Sequence, residues 1–399
     1  MKPKTFMLIA GEASGDLLAA ELVSALRWKL PEAKFLGAGG AKMSAAGVEL
    51  AFDLTQHSVI GISDVLKNYF KFRRLFHQLL ALAIERKPDL VIGVDYGGFN
   101  LRFGHAVKEY VRNNPFSKWN PKIVQFVSPQ VWASRPGRAI LLAADYDLLL
   151  SIFPFEKDWY AERVPNLRVE FVGHPMIGRF PKAESRKRKA EVSEASPIIL
   201  LLPGSRKSEL QRHLPIMIEA ARKIKFKSHA KFRMVLPNLE LCTMAQGMAQ
   251  SNIRRELAQP TLDLDAHPFI KCEVGNLPQA LAEADVAIAS TGTVTMECAF
   301  FGVPTVTLYK TSWLTYQIVK RIITVKSLTM PNLLAGEPVY PEFVQHEATA
   351  ENLSRAALEL LQDESRRMKI KSQLAEIISS LGEPGAAGHA ADAILSLFS

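Results

Sequence analysis

Cysteine and long apolar runs are scarce in this sequence. Its three cysteines, Cys242, Cys272 and Cys298, form no metal-type spacing, and they are too few and odd in number for a disulfide framework. The first apolar run spans only Phe6 to Ala10, and no run reaches the roughly 18 residues that a membrane span needs. These absences predict a soluble or peripheral protein of a reducing cytoplasm.

Nucleic-acid signatures are also missing, although the net charge of +9 and the pI near 9.3 point to polyanionic partners. No zinc-finger spacing or aromatic RNA-binding motif accompanies the charge, which argues against nucleic acid. An anionic membrane surface and phosphorylated substrates remain. With 399 residues, 48% of them hydrophobic, the chain can bury two cores.

The strongest pattern lies in residues 284–310, which read ADVAIASTGTVTMECAFFGVPTVTLYK. Two β-branched apolar runs, typical of buried parallel strands, enclose a short helix. The turn Ser290-Thr291-Gly292-Thr293 leaves unpaired N–H groups at the start of that helix, which favour a phosphate. Glu297 lies one turn further on and suits the hydroxyls of a ribose. An ordinary βαβ turn with a solvated glutamate is the alternative.

A second strand-to-helix turn lies near the N-terminus. Thr5 to Ala10 predicts a strand, and Gly11-Glu12-Ala13-Ser14-Gly15-Asp16 leads into a helix predicted from Leu17 to Leu30. The glycines are four apart, so the turn is not a dinucleotide fingerprint. We interpret it as a close approach of backbone to ligand, with Glu12, Ser14 and Asp16 as polar contacts. A tight turn with acidic residues that suit the helix dipole is the alternative.

Asp95 ends the next apolar strand, Leu90 to Val94. Open α/β sheets bind ligands at the carboxyl ends of their strands, so Asp95 is predicted to be a general base, with Asn100 and Arg102 as neighbours.

The strand from Lys122 to Val127 ends in a loop that contains Trp132, Arg135 and Arg138. These side chains can stack on or clamp a phosphorylated sugar, and an aromatic plug at the strand end is the alternative.

The alternation of strands and helices restarts after a polar segment. Residues 181–197 are rich in Lys, Arg, Glu and Ser, which predicts a linker between domains at 1–180 and 198–375, with C-terminal helices at 376–399. His174, just before this hinge, is interpreted as structural. In the second half, Gly204, Ser205 and Arg206 open a helix and suit a diphosphate. Residues 203–209 and 290–297 are expected to close on one diphosphate.

Two further patterns allow two interpretations each. The predicted helix from Asp64 to Lys87 mixes aromatic and basic residues, which suits the headgroup boundary of an anionic membrane or a core helix with a solvated basic side. Asp145-Tyr-Asp147 and Asp263-Leu-Asp265 match the D-x-D pattern with which many sugar transferases bind a divalent metal. We interpret the first as the solvated lead-in to an apolar strand, Leu148 to Ile152, and the second lies in a loop rich in Pro and Asp. No metal site is predicted.

Taken together, eight motifs in order resemble the lipid-A-disaccharide synthases over nearly the whole chain. They are Gly11 to Asp16, Asp95 with Phe99-Asn100, Ser128-Pro129 with Trp132-Ala133, Phe155-Glu156, Val172 to Pro175, Leu202 to Arg206, the 289–298 stretch, and Pro331 to Leu334. The resemblance implies an α/β fold of the GT-B type. Two Rossmann-like domains with parallel sheets would face a central cleft, and a C-terminal helix would cross back to the first domain.

The implied reaction moves a diacylglucosamine unit from UDP-2,3-diacylglucosamine to the 6-hydroxyl of 2,3-diacylglucosamine 1-phosphate. It gives a β-1,6-linked disaccharide and UDP in lipid A biosynthesis. An α-linked donor and a β-linked product require inversion, hence one displacement, a base for the hydroxyl and stabilisation of the leaving diphosphate. No cofactor or metal is expected, because helix N-termini and Arg206 can take the diphosphate charge.

The same resemblance assigns roles to single residues. Asp95 is the expected base, with Glu12 and Asp16 as the other catalytic carboxylates. The residues expected to bind the UDP donor are Gly204, Ser205, Arg206, Ser290, Thr291, Gly292, Thr293, Glu297, Asn332, Glu342 and Gln345. The residues expected to bind the acceptor are Ser14, Gly15, Asn100, Ser128, Trp132 and Arg135.

Two departures from the family pattern bear on these roles. Family members often read Asp-x-Pro-Asp-Phe-Asn, whereas Gly98 stands here in place of the second Asp. If that Asp is the base, its role moves to Glu12 or Asp16. Ser134 replaces the second tryptophan of the family's Trp-Ala-Trp, which removes one aromatic acceptor contact.

The resemblance further implies a peripheral protein on the cytoplasmic face of the inner membrane, with a homodimer through the C-terminal part as an added expectation. Two other functions fit the same motifs. Another UDP-sugar GT-B enzyme, such as a UDP-N-acetylglucosamine 2-epimerase, would need no second sugar. A non-catalytic, nucleotide-sugar-binding peripheral membrane protein would bind UDP without releasing it from any donor.

Overall fold

The structure is a computed structural model that describes residues 3–57, 62–180, 196–256 and 269–398. The chain divides into two compact units, Met1–Arg179 together with Leu381–Ser399, and Phe180–Ser380. Most of the predicted linker, 181–195, and the second D-x-D pattern lie outside the described residues. Within the described ranges, no helix is long and apolar enough to cross a membrane.

The first unit is a parallel α/β sheet with helical crossovers. Its strands are β1 (Thr5–Ala10), β2 (Lys34–Gly39), β3 (Glu49–Asp53), β4 (Leu90–Val94), β5 (Lys122–Phe126), β6 (Leu148–Ser151) and β7 (Val169–Phe171). Its helices are α1 (Ala13–Lys29), α2 (Ala41–Ala45), α3 (Ile62–Arg86), α4 (Gly97–Asn113), α5 (Val131–Ser134), α6 (Arg138–Asp145) and α7 (Pro154–Arg163). The strand order is β3-β2-β1-β4-β5-β6-β7.

The second unit repeats this plan. Its strands are β8 (Ile198–Leu202), β9 (Lys231–Leu236), β10 (Ile270–Val274), β11 (Val286–Ser290), β12 (Thr305–Tyr309) and β13 (Glu342–Val344). Its helices are α8 (Lys207–Lys227), α9 (Leu239–Glu256), α10 (Leu277–Glu283), α11 (Val294–Phe300), α12 (Trp313–Ile322), α13 (Met330–Ala335), α14 (Ala350–Gln362) and α15 (Glu364–Ser380). The order is β10-β9-β8-β11-β12-β13, and every pairing is parallel.

Each sheet has one point where the strand order reverses. In the first unit it lies between β1 and β4, where Ala10 pairs with Val94. In the second it lies between β8 and β11, where Leu202 pairs with Ala289. The strands on both sides are buried apolar runs, as parallel strands covered by helices must be. Open α/β sheets bind ligands just beyond the carboxyl ends of the strands at such a reversal.

The last helix, α16 (Ala386–Leu395), belongs to the first unit although it follows the second in sequence. It packs on α1, where Lys29 Nζ lies 2.8 Å from Asp392 Oδ1. The His389 ring contacts the carbonyl of Val172 at 3.1 Å, and the Phe398 ring meets Phe6 edge-on. The predicted α/β fold of two domains with parallel sheets is therefore confirmed, and the last helix returns to the first unit.

Several element boundaries differ from the sequence-based expectation. Helix α1 begins at Ala13 rather than Leu17, because the N–H of Asp16 already donates to the carbonyl of Glu12 at 2.8 Å. Helix α4 begins at Gly97 rather than Leu101, because the carbonyl of Tyr96 accepts from two following N–H groups. The loop-like segment predicted after Tyr309 contains α13 and β13. Strand β13 has three residues and depends on pairing with β12.

Candidate active site

Backbone strain marks two neighbouring strand ends of the first unit, one at the reversal point and one next to it. Asp95 and Tyr96, directly after β4, have φ of 51° and 47°, and Val127, directly after β5, has φ of 68°. Left-handed conformations of non-glycine residues cost about 1–3 kcal/mol each and cluster at functional sites. A β-branched valine in this region is especially unusual. The surrounding structure must therefore hold these turns firmly.

Hydrogen bonds from three directions fix the backbone of Asp95. Its N–H donates to the carbonyl of Phe126 at 2.8 Å. Its carbonyl accepts from Asn100 Nδ2 at 2.8 Å and from Gln125 Nε2 at 2.9 Å. Both amide side chains are buried. Asn100 thus braces the turn through its side-chain nitrogen, and its role as an acceptor contact stays a prediction.

The Asp95 carboxyl has the environment of a general base. It is half-buried, and desolvation raises its pKa while a hydrogen bond from the backbone of Tyr96 lowers it. Gly15 lies against it: a Cβ added there would be 3.5 Å from Asp95 Cβ and 3.3 Å from the carbonyl oxygen of Val94. The pKa of Tyr96 is raised by burial and then by the charge of Glu12. The predicted residues Glu12, Gly15 and Asp95 therefore gather at one point.

Asp16, the third predicted carboxylate, has a different role. It is 4% exposed, and its two oxygens accept the N–H groups of Gly40, Lys42 and Met43 at 2.7, 2.9 and 3.1 Å. The Asp16 carboxylate therefore accepts three backbone hydrogen bonds at the start of α2, and these hold the loop after β2. These hydrogen bonds favour a structural role for Asp16 over the role of a base. Ser14, by contrast, lies exposed in the first turn of α1.

Buried side chains fill the loop after β5, so it does not form an open pocket at Trp132 and Ser128. The Trp132 side chain is buried, and its indole N–H donates to Glu156 Oε1 at 2.9 Å. The Ser128 hydroxyl is likewise buried, 3.1 Å from the hydroxyl of Tyr160. Burial raises the pKa of the Glu156 carboxyl to about 7. Hydrogen bonds, first of all the one from Trp132, act in the opposite direction and lower this pKa. The expected acceptor contacts Trp132 and Ser128 are thus interior, and the aromatic-plug alternative fits this geometry.

Three arginines stand beside this loop. Arg102 and Arg135 are exposed and Arg138 is half-buried. Burial, followed by the charges of Arg135 and Arg102, lowers the pKa of the Arg138 guanidinium. A cluster of cations that repel one another, close to the carboxyl ends of the strands, suits an anionic group of a ligand. Of the expected acceptor contacts in this loop, Arg135 is the one that the structure leaves exposed.

In the second unit, the turn after β8 is closed by a carboxylate of its own helix. Gly204 has φ of 122°, and Glu209 Oε2 accepts from the N–H of Ser205 at 3.0 Å. Glu209 Oε1 lies 3.5 Å from Arg206 Nη1. The groups expected to hold a diphosphate therefore already bind an anionic side chain. This contact shows that Ser205 and Arg206 converge on one point.

The turn after β11 lies beside it, because Ala289 pairs with Leu202. Gly292 has φ of 144°, and its carbonyl accepts from Thr295 Oγ1 at 2.7 Å. Thr291, Gly292 and Thr293 reach the surface, whereas Ser290 is buried. Glu297 is half-buried on α11, which has only seven residues. Two phosphate-type turns thus lie side by side at the reversal point of this sheet.

Three other expected donor contacts brace the region after β12. Glu342 Oε1 accepts from Thr329 N, Thr329 Oγ1 and Asn332 Nδ2 at 3.0, 2.5 and 2.8 Å. Asn332 is 2% exposed and exchanges hydrogen bonds with the backbone of Tyr340. Gln345, with φ of 54°, bonds both the N–H and the carbonyl of Thr311. The structure brings Asn332 and Glu342 together, but their polar atoms are already used.

The remaining sequence signals have structural partners. Asp145 pairs with His105 and Arg112, and Asp147 with Lys108 and Lys122. Among the described residues, no group of three His, Cys, Asp or Glu side chains could hold a metal ion.

His174 N donates to the carbonyl of Leu381 at 2.9 Å. Burial lowers the pKa of its ring to about 4. It ties the returning C-terminal segment to the first unit.

Comparison with known proteins identifies the family. Residues 6–394 match the family described as lipid-A-disaccharide synthetase. The chain belongs to the lipid-A-disaccharide synthase family. A lipid-A-disaccharide synthase of Myxococcus xanthus is 34% identical over 398 residues, 99% of this chain and 98% of that protein. One of Trichlorobacter lovleyi is 34% identical over 406 residues, with the same shares covered. The resemblance inferred from eight motifs is confirmed, and with it the glycosyltransferase class.

Solved structures agree on the fold. A crystal structure from Listeria monocytogenes, named as a candidate UDP-N-acetylglucosamine 2-epimerase, has a TM-score of 0.62 at 16% identity, covering 100% of this chain and 97% of that one. At this identity the likeness concerns the fold alone. It gives no support to the epimerase alternative, which the family match does not favour.

Proposed function

We propose that this protein condenses UDP-2,3-diacylglucosamine with 2,3-diacylglucosamine 1-phosphate to give the β-1,6-linked lipid A disaccharide 1-phosphate and UDP. One observation carries the catalytic part of the proposal. Asp95, with a raised pKa, stands at the strand reversal of the first unit on a strained turn that Asn100 and Gln125 brace. Family membership supplies the substrate class, and the two strand reversals supply places for donor and acceptor.

Asp95 acts in this proposal as the general base. The acceptor's 6-hydroxyl donates its proton to the carboxylate while its oxygen attacks the anomeric carbon of the donor. The bond to UDP breaks in the same displacement, so the configuration inverts. A positioned base contributes about 10²–10⁴-fold to such a step. Glu12 is a second carboxylate near this turn, where its charge raises the pKa of Tyr96. It is the alternative base that would accept the proton of the 6-hydroxyl.

The second unit holds the leaving group. Ser205 N–H and Arg206 converge on the point that Glu209 occupies, and the adjoining turn at residues 291–293 reaches the surface. In the donor complex we expect the diphosphate to replace Glu209 on these donors, with Glu297 near the ribose. Preorganised donors of this kind stabilise charge as it develops on the leaving diphosphate.

The arginine group of the first unit is assigned to the acceptor phosphate. Arg102, Arg135 and Arg138 interact electrostatically beside the loop that follows β5. A phosphate there would relieve their repulsion and accept charge-assisted hydrogen bonds. This assignment replaces the expected stacking on Trp132, whose side chain is buried on Glu156.

The test is acceptor-dependent release of UDP by wild type, Asp95→Asn and the control Asp158→Asn, with excess EDTA. Asp158 is exposed on α7, away from β4 in sequence. We expect Asp95→Asn to lower kcat by about 10²–10⁴-fold and the control to match wild type. Because the base must be ionised, kcat/KM of wild type should fall as the pH drops through the raised pKa of Asp95.

Other outcomes assign the function differently. Full activity in Asp95→Asn with loss in Glu12→Gln would move the base to Glu12. UDP release without any acceptor would point to an epimerase, and binding of UDP without turnover by wild type would point to a binding protein. Loss of release in EDTA, restored by a divalent cation, would contradict the metal-free scheme.

Peripheral contact with the inner membrane is a further part of the proposal, carried by helix α3. Phe70 is 78% exposed among the exposed basic residues Lys71, Arg73 and Arg74, a combination that suits an anionic lipid surface. Phe76 belongs to the core, with its ring 5.4 Å from that of Phe99.

Phe70→Ser should therefore reduce sedimentation with anionic vesicles. Phe116→Ser, at a 97% exposed site elsewhere, should leave it unchanged. Equal sedimentation of both variants and wild type would contradict this contact. Light scattering of the same wild-type sample tests the expected homodimer.

A further inference from the structure

Two of the three cysteines lie side by side in the second unit. Cys242 is in the first turn of α9 and Cys272 is in the middle of β10, and their sulfur atoms are 2.6 Å apart. The crossover from β9 through α9 to β10 brings them together. Cys272 is opposite Met234 in the β9–β10 pairing, and α9 contacts both strands. The two thiols are therefore close because of the fold, although 30 positions separate them.

We propose that Cys242 and Cys272 are a site of reversible disulfide formation. Bonded sulfurs are about 2.05 Å apart, so the two sulfur atoms need to move only a short distance to form the bond. The third thiol, Cys298, is fully buried on α11 and is not part of the pair. The site does not depend on the proposed transferase function.

The oxidant is a low-molecular-weight disulfide. The thiolate of Cys272, which is partly exposed where Cys242 is buried, attacks one sulfur of that disulfide and releases one small thiol. Cys242 then attacks the mixed disulfide and releases the second small thiol. Two S–H bonds break and one protein S–S bond forms, while two electrons and two protons pass to the small molecule.

The surroundings of the two cysteines determine how fast they are oxidised. Burial, followed by the hydrogen bond with Cys242, raises the pKa of the Cys272 thiol to about 12. Since the thiolate is the attacking species, the rate of oxidation should rise about tenfold per pH unit between neutral pH and about pH 10. At neutral pH the pair is slow to oxidise, which distinguishes it from an activated redox centre.

The bond would fasten the edge strand of the second sheet. Strand β10 pairs on one side with β9, and among the described residues no strand covers its other side. Arg233 on β9 already holds it through Glu273, at 2.7 Å, and is bonded to Glu283 on α10 at 2.5 Å. A covalent link from α9 adds a second fastening on the same strand. Reduction would release that fastening and leave the ion pairs in place.

Thiol counting tests the proposal directly. The protein is incubated with oxidised glutathione at pH 8.5, denatured in acid, and its free thiols are titrated. We expect wild type to fall from three thiols to one, and Cys298→Ser from two to none. Cys272→Ser should show no internal disulfide and at most glutathione adducts. Three remaining thiols in wild type, or stable glutathione adducts on both Cys242 and Cys272, would overturn the proposal.

Mapping of the bond needs two proteases. Trypsin leaves Cys272 and Cys298 on one peptide, residues 272–310, so a linked tryptic pair would be ambiguous. A Glu-specific protease also cuts after Glu273, Glu283 and Glu297 and separates the two cysteines. The expected product joins the Cys242 peptide to the Cys272 peptide and disappears on reduction. A linked peptide that contains Cys298 would refute the assignment. Acceptor-dependent UDP release, measured on the reduced protein, reports on the proposed function separately.

Discussion

Glu156 should make the stability of the first unit depend on pH in an unusual direction. The carboxyl is 1% exposed, and burial raises its pKa from the ordinary 4.5 to about 7. Between these two values the folded state keeps the proton and the unfolded state has released it. The contribution of Glu156 to the free energy of unfolding is therefore fully present below about pH 4.5. It is lost as the pH rises through about 7.

The magnitude follows from the size of the shift. A difference of one pKa unit corresponds to about 1.4 kcal/mol, so this carboxyl should remove about 2–3 kcal/mol of stability between about pH 5 and pH 8. Most carboxylates do the opposite, because their folded pKa is depressed. Ionised Glu156 keeps its hydrogen bond from Trp132 Nε1 but carries a charge in the interior.

The assay compares wild type with Glu156→Gln by urea unfolding from pH 5 to pH 8. Tryptophan fluorescence reports mainly on the first unit, which holds Trp132 and three of the other four tryptophans. The glutamine does not titrate, so any hydrogen bond that it loses is a constant offset. Wild type should lose about 2–3 kcal/mol relative to Glu156→Gln over this range.

Glu162→Gln, on the same helix with its carboxylate 72% exposed, is the matched control and should track wild type. A constant difference between wild type and Glu156→Gln at all pH values would refute the reasoning.

Two other substitutions test the packing of the first unit and the support of its base. Gly37→Ala should lower the free energy of unfolding by more than about 3 kcal/mol. The reason is that φ of Gly37 is 151° and the added Cβ would lie 1.9 Å from the carbonyl oxygen of Leu8. An unchanged melting temperature would contradict this prediction. Gln125→Ala should lower kcat by about 10–100-fold with little change in KM, because it removes one of the two side-chain donors that hold the Asp95 carbonyl. A lower melting temperature with normal kcat would instead indicate a purely structural role.

The architecture was predictable because its signal is local. A parallel strand that helices cover on both faces must be a short run of apolar residues, and each such run is visible in the sequence without knowledge of its neighbours. The glycine-bearing turns that follow the strands are visible in the same way. The short strand β13 was missed because only its pairing with β12 makes it a strand. Its three residues carry too little pattern by themselves.

The roles of single polar residues were less predictable, because their partners come from distant parts of the chain. Asp16 is fixed by N–H groups 24 to 27 positions away, and Trp132 by Glu156 24 positions away. Nothing in the local sequence separates these residues from Asp95. One local signal does point to the support of Asp95, because Gln125 is a polar residue inside the apolar strand Lys122–Phe126. A buried amide in such a place needs a partner, and here it supports the candidate base.

Backbone strain is an indicator of function that does not depend on the local sequence pattern. Among the described residues, the non-glycine positions with positive φ that follow the carboxyl ends of strands are Asp95, Tyr96, Val127, Asn276 and Gln345. The bracing residues Asp16 and Trp132 are not in this set, whereas Gln345, which braces the loop at Thr311, belongs to it. Because uncommon backbone conformations cluster at functional sites, a strained position that no motif marks is worth testing. In the second unit that position is Asn276, the residue before α10, whose Nδ2 donates to Gln279 Oε1.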